Sequence, residues 1–154
     1  MRKQIAAANW KMNLSLLQAE NLLADILQAG ISLKEHQQTL FAVPFPYLST
    51  AKGIAEKFDN YAVAAQNCHH KKSGAYTGEV SAGMLRSVDV QYCIIGHSER
   101  REYFKESNRQ LAEKIDLLLE EDIIPVFCCG ESLEIRETNR QNEFVATQLK
   151  DSLF

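Results

Sequence analysis

"CIIGHSERR", residues 93–101, sets three kinds of residue side by side. An apolar run ends in two β-branched isoleucines, which favour extended chain. One glycine follows, and glycine turns tightly at little steric cost. His97 comes next, and "SERR" suits the first turn of a short helix. The stretch therefore reads as strand, turn, helix, with a histidine at the strand's mouth. A histidine there is either a structural cap or a group placed to meet a ligand. The rest of the chain has to decide whether this unit stands alone or repeats.

It repeats. Apolar, strand-like runs fall at about 4–9, 39–44, 61–66, 91–96 and 123–129. Helical patterns lie between and after them. "LLQAENLLADILQAG" (16–30) has helical periodicity and ends on Gly30, as helix C-termini prefer. "YLSTAKGIAEKF" (47–58) is amphipathic. Ser107 and Gln110 form a capping-box pattern ahead of "LAEKIDLLLEED" (111–122). "RQNEFVATQLKDSLF" (140–154) also predicts helix. No low-complexity tract or linker interrupts the rhythm, so the chain reads as one domain, 1–154. Strands that are continuously apolar are covered on both faces, as in parallel sheets. Alternating βα units predict an α/β architecture. Either an open doubly wound sheet or part of a (βα)8 barrel would do, the full barrel needing about 250 residues. Polar groups follow four of the five runs: Asn9 and Lys11, Gln66 and Asn67, His97 and Glu99, and Glu131. An open sheet needs such groups only at its switch point. A barrel gathers every strand end at one mouth, so the distribution favours a barrel.

Composition narrows the class. The 154 residues are 45% hydrophobic and 24% charged, with net charge −3. That balance suits a soluble globular domain and exerts no general pull toward nucleic acid or anionic membrane. No apolar window reaches the roughly 18 residues of a spanning helix. The basic N-terminus lacks a secretory signal's apolar stretch, so a cytoplasmic location is the expectation. Four cysteines, Cys68, Cys93, Cys128 and Cys129, include no C-x-x-C pair. They predict reduced, mostly buried thiols and no metal site.

Several residues invite chemistry, each against a plainer alternative. His97 can donate a hydrogen bond to a substrate carbonyl, or can simply cap a helix. The partial positive charge at a helix N-terminus favours the neutral imidazole. Lys11 can hold an anion or an oxyanion, or can be a surface lysine. Asn9 can orient Lys11, or can be a turn residue. Glu99 can pair with a nearby cation. Arg101 reads as a solvated residue of the helix start. The connection "NCHHKKSGAYTGEVSAG" (67–83) is long for a βα loop and reads as a partner arm or a lid.

"NWKMN" (9–13), "AYTGEVSAGML" (75–85), "IIGHSERR" (94–101) and "CCGE" (128–131) resemble, in order and spacing, the triosephosphate isomerase family. The resemblance covers essentially the whole chain. It implies a (βα)8 barrel that interconverts dihydroxyacetone phosphate and glyceraldehyde 3-phosphate through an enediol. By that resemblance His97 is the electrophile, Lys11 the active-site lysine, and Asn9 a substrate-site neighbour. Glu99 and Cys128 support the site from behind. Thr77, Gly78 and Glu79 belong to the loop that reaches a second subunit. The neutral imidazole is a known property of that family rather than an inference from these residues. The resemblance further implies a cytoplasmic homodimer of glycolysis and gluconeogenesis, with no metal or organic cofactor.

One departure stands out. The family's proton-abstracting glutamate follows a sixth strand, and no matching stretch occurs here. The glycine-rich phosphate loops of the seventh and eighth strands are missing too. A positioned base supplies about 10²–10⁴-fold in rate, so the 154-residue chain alone is expected to lack turnover. Five strands in a row expose two edges, so the expected form is a truncated parallel sheet prone to aggregate. A short non-catalytic relative serving as a binding or assembly module is the alternative. An unrelated doubly wound phosphate-binding protein is disfavoured, because no G-x-G-x-x-G or P-loop follows the first strand.

Overall fold

A computed structural model describes residues 2–154. Five apolar runs form the strands β1 (Gln4–Asn9), β2 (Gln37–Val43), β3 (Tyr61–Ala65), β4 (Tyr92–Ile95) and β5 (Ile124–Phe127). All pair in parallel, in the order β1-β2-β3-β4-β5. Each strand therefore lies beside its neighbour in sequence, and β1 and β5 are the edges.

Local chemistry sets the boundaries. β2 stops at Val43 because Pro44 has no N–H to extend the ladder, and a single 3₁₀ turn (Phe45–Tyr47) follows. β2 also starts two residues before its apolar run. Gln37 is held there by a side-chain bond to Gln4 (3.1 Å), and Gln38 accepts from the Tyr92 hydroxyl (2.8 Å). β5 contains Pro125 yet remains a strand. The Ile124 N–H donates to Gln91 on the β4 side (2.9 Å), so the next nitrogen faces the open edge, where a proline loses no bond.

The helices are α1 (Leu16–Gln28), α2 (Leu48–Ala55), α3 (Ala82–Ser87), α4 (Ser98–Tyr103), α5 (Asn108–Glu120), α6 (Leu133–Glu137) and α7 (Gln141–Leu153). Capping boxes open α1 (Ser15 with Gln18) and α5 (Ser107 with Gln110). Gly30 follows α1 in the left-handed region, at φ +68°.

Alternate strand residues divide between two cores. Phe41, Val43, Val63, Cys93 and Ile95 face the helices and pack with Leu23, Leu111 and Leu118. Leu40, Ala42, Ala64, Tyr92 and Ile94 form a second cluster on the opposite face, where Val126 and Cys128 join it. The sheet curls around this second face. β1 and β4 are three strand spacings apart, about 14 Å if flat, yet Lys11, just past β1, bonds Glu99, just past β4. The result is a curled half-barrel, α/β in class. No helix among the described residues is long and apolar enough to cross a membrane.

Candidate functional site

The mouth lies at the C-terminal ends of the strands. β1 ends on Asn9, whose Oδ1 accepts the Lys11 N–H (3.0 Å). Lys11 itself sits at φ +54°. For a residue with a Cβ that conformation costs about 1–2 kcal/mol and has to be held by its surroundings. The carbonyl end is held by Gln66, the residue after β3. Its amide donates both to the Lys11 carbonyl and to the Ala42 carbonyl, each at 2.9 Å. Trp10 anchors the same turn by packing edge-on against Phe41. The backbone is thus fixed on both sides, and the Lys11 side chain emerges from a rigid base.

The Lys11 ammonium meets Glu99 Oε1 at 2.5 Å. That hydrogen bond holds the Glu99 carboxyl below the usual carboxylate range, against a smaller opposing effect of burial. Both side chains stay about half exposed, so the ammonium keeps a solvent-facing side for an anion. His97 caps α4. Its Nδ1 accepts the Glu99 N–H at 3.3 Å, while the Glu99 carboxylate lies 3.5 Å from the same nitrogen. The two contacts demand opposite protonation of Nδ1. The backbone N–H cannot turn away, whereas the carboxylate Oε2 is a longer contact on a side chain that can rotate. With Nδ1 as the acceptor of the Glu99 N–H, a neutral ring carries its proton on Nε2.

Arg101 corrects its expected solvated role. Its guanidinium is part-buried and donates to the Gly96 carbonyl (2.8 Å), Asn108 Oδ1 (2.7 Å) and the Cys128 carbonyl (3.2 Å). Gly96 sits at φ +72°, and an added Cβ would lie 3.0 Å from the Cys128 carbonyl oxygen and 3.1 Å from Leu111. Only glycine fits a turn pressed so closely between β4 and β5. An open cavity of about 720 Å³ lies beside it, lined by His97, Arg101, Cys128, Glu131, Phe144 and Gln148 among others. Gln148 pins the β5 end with two bonds to the Gly130 backbone, both 3.0 Å. Cys128 is half-buried at the inner cluster, and burial pushes its thiol up. Glu131 pairs with Arg136.

Thr77, Gly78 and Glu79 are exposed and make no side-chain hydrogen bond to Lys11 or His97 among the described residues. Their loop does not hang free. Lys71 pairs with Glu113 (2.8 Å) and Lys72 with Glu120 (2.6 Å), both on α5, and the His69 ring meets Tyr76 at 4.4 Å. At the loop's base lies a buried cluster that sequence reasoning misses. Lys114 is 3% exposed and donates to Asn67 and to Glu106, each at 2.7 Å, and Arg100 meets the same Glu106 oxygen at 2.6 Å. Burial pulls the Glu106 carboxyl up, but Lys114 and Arg100 outweigh it and hold it below its ordinary value. The available signal is a lysine within the apolar stripe Leu111, Ile115, Leu118. Gln66 carries a fainter one, a polar residue directly after a strand.

The site thus fixes an ammonium beside an imidazole with one donor nitrogen. It can bind an anionic group and polarise a carbonyl. Of the mouth carboxylates, Glu99 and Glu131 are each paired with a cation, while Glu102 lines the cavity exposed.

Comparison with known proteins follows the same outline. The sequence profile of the family described as triosephosphate isomerase matches residues 4–154. A triosephosphate isomerase of Cytophaga hutchinsonii is 46% identical over 155 residues, covering 100% of this chain and 61% of that protein. One of Phocaeicola vulgatus is 46% identical over 149 residues, covering 97% of this chain and 59% of its own length. One of Mycoplasma capricolum is 43% identical over 150 residues, covering 97% and 58%. The chain spans about three-fifths of the length of the curated relatives it matches.

Proposed function

Because the chain belongs to the triosephosphate isomerase family, we propose that it supplies the electrophilic half of an active site that interconverts dihydroxyacetone phosphate and glyceraldehyde 3-phosphate. The observation that supports this best is the Asn9–Lys11–Glu99–His97 constellation at one mouth. In this reading the half-exposed Lys11 ammonium attracts the phosphorylated triose. It also offsets negative charge developing on the substrate oxygens. The His97 Nε2–H donates to the carbonyl and stabilises the enediol oxygen as the carbon-bound proton leaves. Glu99 keeps Lys11 and the His97 ring in register with each other.

Neither paired carboxylate of this mouth is assigned as the base. Glu99 is committed to Lys11 and Glu131 to Arg136. In this reading, as the family resemblance implies, the base and the phosphate loops come from outside these 154 residues. The complete assembly is a cytoplasmic homodimer in which the Thr77–Glu79 loop reaches the second subunit. It uses no metal or organic cofactor.

The test is turnover of the purified 154-residue chain beside a chimera that joins it to the C-terminal portion of the Cytophaga hutchinsonii relative. The expected result is none above a His97→Ala control for the chain alone. The chimera should turn over, and His97→Ala should lower its rate by about 10²–10⁴-fold. A folded chimera whose rate ignores both His97→Ala and Lys11→Ala overturns the assignment.

A further inference from the structure

Arg101 makes three hydrogen bonds to three different elements. Nε donates to Gly96 after β4, Nη2 to Cys128 after β5, and Nη1 to Asn108 at the start of α5. All three acceptors are uncharged, and no carboxylate among the described residues lies within ion-pair distance of it. Attraction to an opposite charge therefore does not explain an arginine here. The planar fork does, because its donors are fixed in directions that a lysine's single nitrogen cannot reproduce. The acceptor just past β4 is the carbonyl of Gly96, whose carbon is bonded directly to the nitrogen of His97. That turn is left-handed at φ +72° and has no spare space.

We propose that Arg101 is a positioning residue for His97. It clamps the β4 turn to the β5 end and so fixes the direction in which the imidazole leaves the backbone. The chain of contacts is short: guanidinium to Gly96 carbonyl, peptide to His97, and His97 Nδ1 to the Glu99 N–H at 3.3 Å. Its importance for turnover rests on the isomerase reading; the placement of the ring does not.

The test therefore reads the ring and not the rate. The full chain is labelled with ¹⁵N-histidine, and its four imidazoles are followed by long-range proton–nitrogen correlation, with His97→Gln giving the assignment. In the parent chain His97 should show one fixed tautomer, with Nδ1 bare and Nε2 protonated. Arg101→Lys keeps the charge and removes the fork. It should move the His97 nitrogens toward the averaged position of a ring exchanging between tautomers, while His36, His69 and His70 stay in place. Asn108→Leu removes one acceptor and should give a smaller shift in the same direction. If Arg101→Lys fails to fold, Asn108→Leu decides alone. A folded variant of either kind with His97 unmoved overturns the proposal, even if its stability has dropped. Failure of the isomerase reading would appear instead as a folded chimera whose rate ignores His97→Ala and Lys11→Ala, and would leave this result standing.

Discussion

Gly96→Ala separates two reasons for a glycine, because the chain supplies its own control. Gly96 and Gly30 have nearly the same backbone, φ +72° and +68°. Around Gly30 a Cβ would meet nothing within 4 Å, whereas at Gly96 it would meet Arg101 Nη2 and the Cys128 carbonyl at 3.0 Å. Alanine in the left-handed region costs about 1–2 kcal/mol at either position. Alanine also removes about 0.4–1 kcal/mol of unfolded-state entropy at either position, which offsets part of that cost. Gly30→Ala should therefore destabilise by about 1 kcal/mol. Gly96→Ala adds an overpacking cost of about 1–3 kcal/mol, because the Cys128 carbonyl is backbone and cannot swing away as a side chain can. Its total should be about 2–4 kcal/mol. Urea unfolding of both variants, compared through their midpoints at equal slope, measures the difference. Equal losses within about 0.5 kcal/mol would refute the close approach of β4 to β5 and the clamp argued from it.

Other consequences follow from the same contacts. Gln66→Leu removes two bonds to backbone carbonyls and should cost about 1–3 kcal/mol; in a Lys11→Gly background the cost should shrink, since glycine needs no help at φ +54°, and an unchanged cost in that double-mutant cycle would show that Gln66 does not hold Lys11. Lys114→Met leaves the Glu106 carboxylate buried without its closest ammonium and should cost about 3–5 kcal/mol by urea unfolding. Glu106 and Glu99 both have folded pKa values below the ordinary carboxylate value. Their contribution is therefore full above that value and lost as pH falls through the folded one. Stability measured against pH should fall on the acid limb, and Glu106→Gln should flatten it; an unchanged limb would count against the paired state. Of the four free thiols only Cys129 is exposed. An aromatic disulfide reagent should modify it first and reach buried Cys68 and Cys93 only on unfolding.

Much of the architecture is legible in continuous apolar runs, in the Ser107/Gln110 cap and in Gly30, because each acts through its own neighbours in the chain. The start of β2 is not, since Gln37 and Gln38 owe their place to partners on other strands. Nor is α3, six residues long and opened by Ser81 within what reads as loop. Asn9, Lys11, His97 and Glu99 stand out by position at strand ends and by the wording around them. Gln66 shares that position, but its role and that of Arg101 are not legible, for one shared reason. Their partners are mostly main-chain carbonyls brought in by folding, and a carbonyl belongs to every residue alike.

The order of the sheet matches the order of synthesis, so the half-barrel can grow strand by strand as the nascent chain emerges. Lys11 is then secured in stages. Asn9 is two residues away and available at once; Gln66 lies 55 residues further on, and Glu99 lies 88. At roughly 5–20 residues per second the last two arrive a few seconds apart. The turn that holds the lysine is thus braced before its counter-ion exists, and the ion pair closes on a backbone already set.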